Sequence, residues 1–157
     1  MKKILLFAAL MFCFVGADSA SAQAFRWGPE LNLGFDQDFG IGARVEYDVP
    51  SPPLSIIGSF DYYFPGGNYD YWEINGNVVY NFDVPDARTI TPYAGAGLNI
   101  AHFSREQSDG SSRGNTDLGL NILGGARFDA GSIMPFVEFK GTIDGGDQFV
   151  ITGGVLF

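Results

Sequence analysis

The chain of 157 residues carries 9 Lys and Arg against 18 Asp and Glu, a formal net charge of −9, with only 17% of residues charged. An acidic balance argues against nucleic acid as a partner, because that recognition needs basic patches. A hydrophobic content of 46%, with 15% aromatic residues and 22 glycines, excludes a disordered chain and suits closely packed strands in an apolar setting.

The first segment reads as a leader. Lys2 and Lys3 precede an unbroken apolar stretch from Ile4 to Val15, then Gly16 and the small-residue run Ala17 to Ala24, with A-x-A spacing at Ala20/Ala22 and Ala22/Ala24. That order is the pattern of a secretory signal peptide. The apolar stretch is shorter than the roughly 20 residues a helix needs to span a bilayer. Residues 1–24 are therefore expected to be cleaved, leaving residues 25–157 as one domain. Cys13, the single cysteine, leaves with the leader, so the mature chain has no thiol for a disulfide, a nucleophile or a metal site. Losing Lys2, Lys3 and Asp18 lowers the 9 basic and 18 acidic residues to 7 and 17, a net charge of −10.

From Phe25 onward apolar residues recur with period two, the strand signal, over eight runs: 25–35, 39–48, 54–64, 72–82, 92–103, 117–128, 135–143 and 148–157. Each is close to the roughly 9 to 11 residues with which a tilted strand crosses a membrane. Between them lie Asp36-Gln37-Asp38, VPSPP from Val49, PGGNYD from Pro65, DVPDART from Asp83, SREQSDGSSRGN from Ser104, DAGS from Asp129 and DGGD from Asp144. Gly, Asn and Asp tolerate the positive φ of turns, and Pro presets φ while ending pairing. Runs joined this tightly are antiparallel neighbours, so the chain is one continuous meander.

The two faces of these strands differ sharply. One takes Trp27, Leu31, Leu33, Phe35, Phe39, Ile41, Tyr47, Ile56, Phe60, Tyr62, Trp72, Ile74, Tyr80, Phe82, Leu98, Ile100, Leu118, Leu120, Phe128, Phe139, Phe149 and Phe157, with no Asp, Glu, Lys, Arg, Ser, Thr, Asn or Gln at any position within the eight runs. The other holds Arg26, Glu30, Arg44, Glu46, Asp61, Glu73, Arg127, Glu138 and Lys140 with Asn32, Asn75, Asn77, Asn81, Asn99 and Asn121, interleaved with glycines. An eight-stranded barrel has an interior just wide enough for side chains to fill. The aromatic face is too bulky for it, so charged and small residues are expected inside and the apolar face outside, against lipid. Aromatic residues then fall in two belts, Trp27, Tyr47, Tyr80, Phe82, Phe128 and Phe157 at one rim and Phe35, Phe39, Tyr62, Phe64, Trp72 and Phe149 at the other, around a waist of Gly58, Gly76, Ala96 and Gly124. An even strand count puts both termini on the periplasmic side and makes SREQSDGSSRGN the longest extracellular loop. The fold expected is an all-β, eight-stranded antiparallel up-and-down transmembrane β-barrel preceded by a cleaved signal peptide.

With the leader, TPYAGAGLNI from Thr91, LGGARF from Leu123, MPFVEFKG from Met134 and the terminal FVITGGVLF, the sequence resembles the OmpA/OmpX-like outer-membrane β-barrel superfamily of Gram-negative bacteria. The resemblance spans the whole mature chain. It implies a location in the cell outer membrane, contact with outer-membrane lipid, and a C-terminal signal (Phe149, Ile151, Val155 and Phe157) read by the assembly machinery during insertion. No C-terminal peptidoglycan-binding domain is expected, and the first and last extracellular connections are short. The extracellular partner is left unnamed.

Three constellations invite chemistry. The inward charges could line a narrow, porin-like path favouring cations, since acids outnumber bases; the expected alternative is an ion-pair network filling the core, because unpaired charge there costs several kcal/mol. His102 and Ser104, spaced H-x-S with Glu106 as a possible acid, resemble the residues of outer-membrane lipid A deacylases, but HFSRE lacks the wider signature of those enzymes. The turns at Asp36–Asp38 and Asp144–Asp147 fall far short of a 12-residue calcium loop. No enzyme, cofactor or metal site is expected; the expectation is a structural barrel of the envelope.

Overall fold

The computed structural model describes residues 25–35, 38–66, 69–85, 89–106, 112–144 and 148–157. The leader, much of the loop from Ser104 and most of the turns at Asp36–Asp38 and Asp144–Asp147 lie outside the described residues. Eight strands follow in chain order: Phe25–Gly34 (β1), Asp38–Val49 (β2), Leu54–Tyr63 (β3), Tyr69–Asn81 (β4), Ile90–Glu106 (β5), Ser112–Phe128 (β6), Met134–Ile143 (β7) and Gln148–Leu156 (β8). Each pairs antiparallel with the next, and β8 returns to β1 to close the barrel. Closure leaves no continuous edge of unpaired backbone groups in hydrocarbon, where each orphan costs several kcal/mol.

Side chains alternate as the period requires. Leu31, Leu33, Ile41, Ile56, Ile74, Leu98 and Leu120 are exposed on the outer wall, whereas Glu30, Asn32, Arg44, Asp61, Glu73 and Glu138 are buried within. The rims carry aromatic contacts: Trp27 with Phe157 and Tyr80 with Phe82 at the end that holds the termini, Phe35 with Phe149 and Phe39 with Phe64 at the other. Gly58 opposite Gly76 narrows the waist between them.

Two expectations are corrected. First, SREQSDGSSRGN is not all loop. β5 and β6 continue as a ladder through Ser104↔Gly114, Arg105↔Arg113 and Glu106↔Ser112, so only residues 107–111 connect them. Once a strand leaves the bilayer both of its faces are wet, and the apolar half of the period vanishes while backbone pairing persists. Second, the interior is not filled by charged and small residues alone. Ile57, Tyr63, Tyr71, Val79, Tyr93, Leu123, Phe136 and Leu156 are buried there as well. They sit at inward positions of the same period, and they supply the close packing that ion pairs by themselves leave incomplete. Glycine makes the narrow bore possible. A Cβ at Gly28 would overlap the Val155 carbonyl oxygen, and one at Gly95 the Val78 carbonyl oxygen, so neighbouring backbones approach there more closely than a side chain allows.

Candidate functional site

The chemistry-bearing residues are concentrated in the bore and form layers from the termini upward. At the lower rim Arg26 Nη2 lies 2.6 Å from Asp48 Oδ2, and Asp48 also accepts a hydrogen bond from Ser55 (2.6 Å). Asp48 was not among the expected network residues, although it shares the parity of Glu46; it lies at the strand end, where the period gives the weakest signal. Above it Arg127 donates to Asn81 (2.7 Å), its Nε lies 2.8 Å from Glu46 Oε2, and its guanidinium covers the Tyr93 ring at 4.1 Å. Beside these, Ile57, Val79, Tyr93 and Leu123 form an apolar cluster.

Arg44 occupies the centre. Its Nε donates to Glu30 (2.6 Å), while Nη1 and Nη2 donate to the two carboxylate oxygens of Glu138 (2.9 and 2.7 Å). The planar fork of a guanidinium suits this bidentate contact, which an ammonium could not reproduce. Phe136 lies 4.2 Å beneath it, and Tyr93 donates to Glu138 (2.8 Å). The Glu30 and Asp61 side chains converge over Gly42, where a Cβ would overlap Asp61 Oδ1.

An amide layer follows. Asp61 accepts from Asn32 (2.7 Å), Ser59 (2.9 Å) and Asn75 (3.0 Å). Asn99 and Asn121 both donate to Asn75 Oδ1 (2.9 Å each), and Thr152 donates to Asn32 (2.6 Å). At the top Lys140 donates to Glu73 (2.9 Å), whose other oxygen accepts from Tyr71 (2.5 Å) and from Gln148. Tyr63 and Tyr71, ring centroids 5.3 Å apart, cover this layer. Thus Arg26, Arg44, Arg127 and Lys140 meet Glu30, Glu46, Glu73 and Glu138 directly, and Asp61 is held by amides and a hydroxyl. Tyr71, Tyr93, Ser55, Ser59, Gln148 and Thr152 escaped the sequence reading, which took up charged residues and asparagines; their inward parity was the available signal.

The other flagged residues lie outside the bore. Phe149, Ile151, Val155 and Phe157 share the outward face of the terminal strand, with Phe157 bonded to Trp27 through both backbone groups (3.3 and 2.9 Å). His102 stacks on Trp72 (5.0 Å), and its Nδ1 lies 2.7 Å from Thr116 Oγ1, so that nitrogen is engaged by a hydroxyl and not by a carboxylate. The side chain of Glu106 lies outside the described residues.

The model for the outer membrane protein beta-barrel domain family matches residues 5–144. The chain belongs to that family. It is accordingly a protein of the Gram-negative outer membrane, and its apolar outer wall faces lipid. Among solved structures of this barrel type, the N-terminal β-barrel domain of Pseudomonas aeruginosa OprF is 18% identical over 85% of this chain and 95% of that one, with a TM-score of 0.70. Neisserial surface protein A is 16% identical over 84% and 94%, with a TM-score of 0.66. The outer membrane enzyme PagL is 16% identical over 83% and 96%, with a TM-score of 0.50. At these identities the likeness is one of fold, and the fold serves an enzyme as well as other barrels. No curated protein sequence matches the chain significantly.

Proposed function

We propose that this barrel is a closed, non-enzymatic structural component of the outer membrane, contributing to envelope integrity. The observation that carries the reading is the central plug: Arg44, 3% exposed, is held between Glu30 and Glu138 and backed by Phe136, all of them buried. A cation would have to break this set to pass, leaving buried charges unpaired. Against a catalytic reading stands the His102 ring, whose Nδ1 is occupied by Thr116. Delivery fits the same picture: residues 1–24 act as a cleaved leader, and Phe149, Ile151, Val155 and Phe157 are the pattern read by the assembly machinery. The mass of the inserted protein tests the leader directly; a chain still carrying residues 1–24 would exclude it.

Planar-bilayer recording of the refolded mature chain is the deciding experiment. The expected trace is a flat baseline, unaltered by Glu73→Gln or Glu138→Gln. A steady cation-selective conductance lowered by either substitution would replace the structural reading with that of a narrow pore. Lipid A mass spectra that change with the intact protein and not with His102→Ala would replace it with an enzyme.

A further inference from the structure

Among the described strand residues, Asp, His, Ser and Thr on the upper outer wall are confined to one side. β1, β2, β7 and β8 present Leu33, Phe35, Phe39, Phe139, Ile143 and Phe149 there, whereas β4 to β6 present Asp70, His102, Ser104 and Thr116. Among the described residues His102 is the one base of outward parity on this wall; the exposed Arg105, three positions on, has the opposite parity and lies over the Tyr69 ring.

Its imidazole is fixed on three sides. The ring lies 5.0 Å from the Trp72 ring at an interplanar angle of 26°, and Nδ1 is 2.7 Å from Thr116 Oγ1. The third side is Gly114, where a Cβ would stand 3.1 Å from Cε1 and 3.3 Å from Nε2, so glycine lets the ring lie against β6. Where the Thr116 hydroxyl donates to Nδ1, Nε2 carries the ring proton and is the nitrogen that can donate to an anion. Asp70 is the neighbouring negative group, and its Oδ1 accepts a hydrogen bond from Tyr62 (2.6 Å).

We infer that the outward face of β4 to β6 carries a contact site for a phosphate of an outer-leaflet lipid headgroup, with His102 Nε2 as donor. The complementarity is one of charge and level. The ring stands just above the apolar residues Ile74, Ile100 and Leu118, at the height where a lipid's acyl chains give way to its phosphorylated sugars, and among the described residues it is the one group of outward parity there that can carry positive charge. The site rests on the outer wall facing lipid, which heat-dependent mobility in SDS gels tests separately.

The test uses the sole histidine as its probe. Mature protein with isotope-labelled histidine in uncharged maltoside micelles is titrated with bisphosphorylated lipid A, with dephosphorylated lipid A and with inorganic phosphate. Expected is a saturable shift of the imidazole resonances with the phosphorylated lipid alone. Thr116→Val, which unpins Nδ1, should weaken its midpoint roughly two- to tenfold, the equivalent of one hydrogen bond. Equal responses to the two lipids, an equal response to inorganic phosphate, or no response from a protein that still shows the heat-dependent gel shift would each overturn the site while leaving the barrel intact.

Discussion

The β5–β6 hairpin and the β1–β8 seam both join neighbouring strands, under opposite conditions. In the hairpin seventeen consecutive pairs run from Ile90↔Phe128 to Glu106↔Ser112 without a break. At the seam the continuous ladder holds five, from Glu30↔Gly154 to Gly34↔Val150, with backbone bonds between Trp27 and Phe157 and from Phe35 to Phe149 beyond its ends. A hairpin closes a short loop, whereas the seam brings together residues such as Asn32 and Thr152, 120 positions apart, at a larger loss of chain entropy. Pro29 interrupts the seam further, since it has no N–H to donate. At this seam the backbone ladder is supplemented by side chains crossing the bore. Arg44 on β2 grips β1 through Glu30 and β7 through Glu138, flanking the seam from inside, and the Thr152 hydroxyl crosses it to Asn32.

The largest effect should therefore come from Arg44. Arg44→Ala strands Glu30 and Glu138 as buried charges without their cation, at an expected loss of about 3–5 kcal/mol. Reversible urea unfolding in micelles measures it. Arg44→Lys, keeping the charge without the fork, should fall between the two. A loss below about 1 kcal/mol for the alanine variant would mean that the seam stands without internal bracing.

How far this arrangement can be read from sequence depends on the kind of contact. The inward parity of Arg44, Glu30 and Glu138 follows from period two, because a strand that must show lipid one face has no freedom in the other. That Arg44 meets Glu138, 94 residues away, does not follow, since partners across the bore depend on how strand tilt and stagger close the barrel. Ile57, Val79 and Leu123 illustrate a second limit: their parity was visible, but an apolar residue facing inward carries no mark distinguishing it from the apolar outer wall. Ser112 to Thr116 illustrate a third, because a strand wet on both faces has a loop's composition.

A smaller effect should follow from mending the seam. The backbone groups of Trp27 both bond Phe157, so residue 29, two positions on, directs its missing donor toward the same strand. Pro29→Ala supplies an N–H for one further bond, worth about 0.5–1.5 kcal/mol, reduced by the greater freedom of the unfolded chain. The sharper measurement is amide hydrogen exchange at Phe157, expected to slow as the ladder extends. Unchanged exchange would place the weakness of the seam in chain entropy alone and not in the proline.

The smallest effect is expected where pairing is longest. Replacing residues 105–113 with an Asn-Gly turn would remove the register pairs Arg105↔Arg113 and Glu106↔Ser112, the end of the ladder farthest from the apolar wall. Arg105 is exposed and its guanidinium lies 5.0 Å from the Tyr69 ring, a surface contact of modest worth. None of the cross-bore bonds from Arg44, Lys140 or Asn121 reaches these residues. The shortened barrel should thus keep its heat-dependent gel shift and lose less than about 1 kcal/mol in urea. A larger loss would show that the projecting hairpin helps hold β4 and β6 in place, and that length outside the membrane contributes to a barrel's stability as well as to what it meets there.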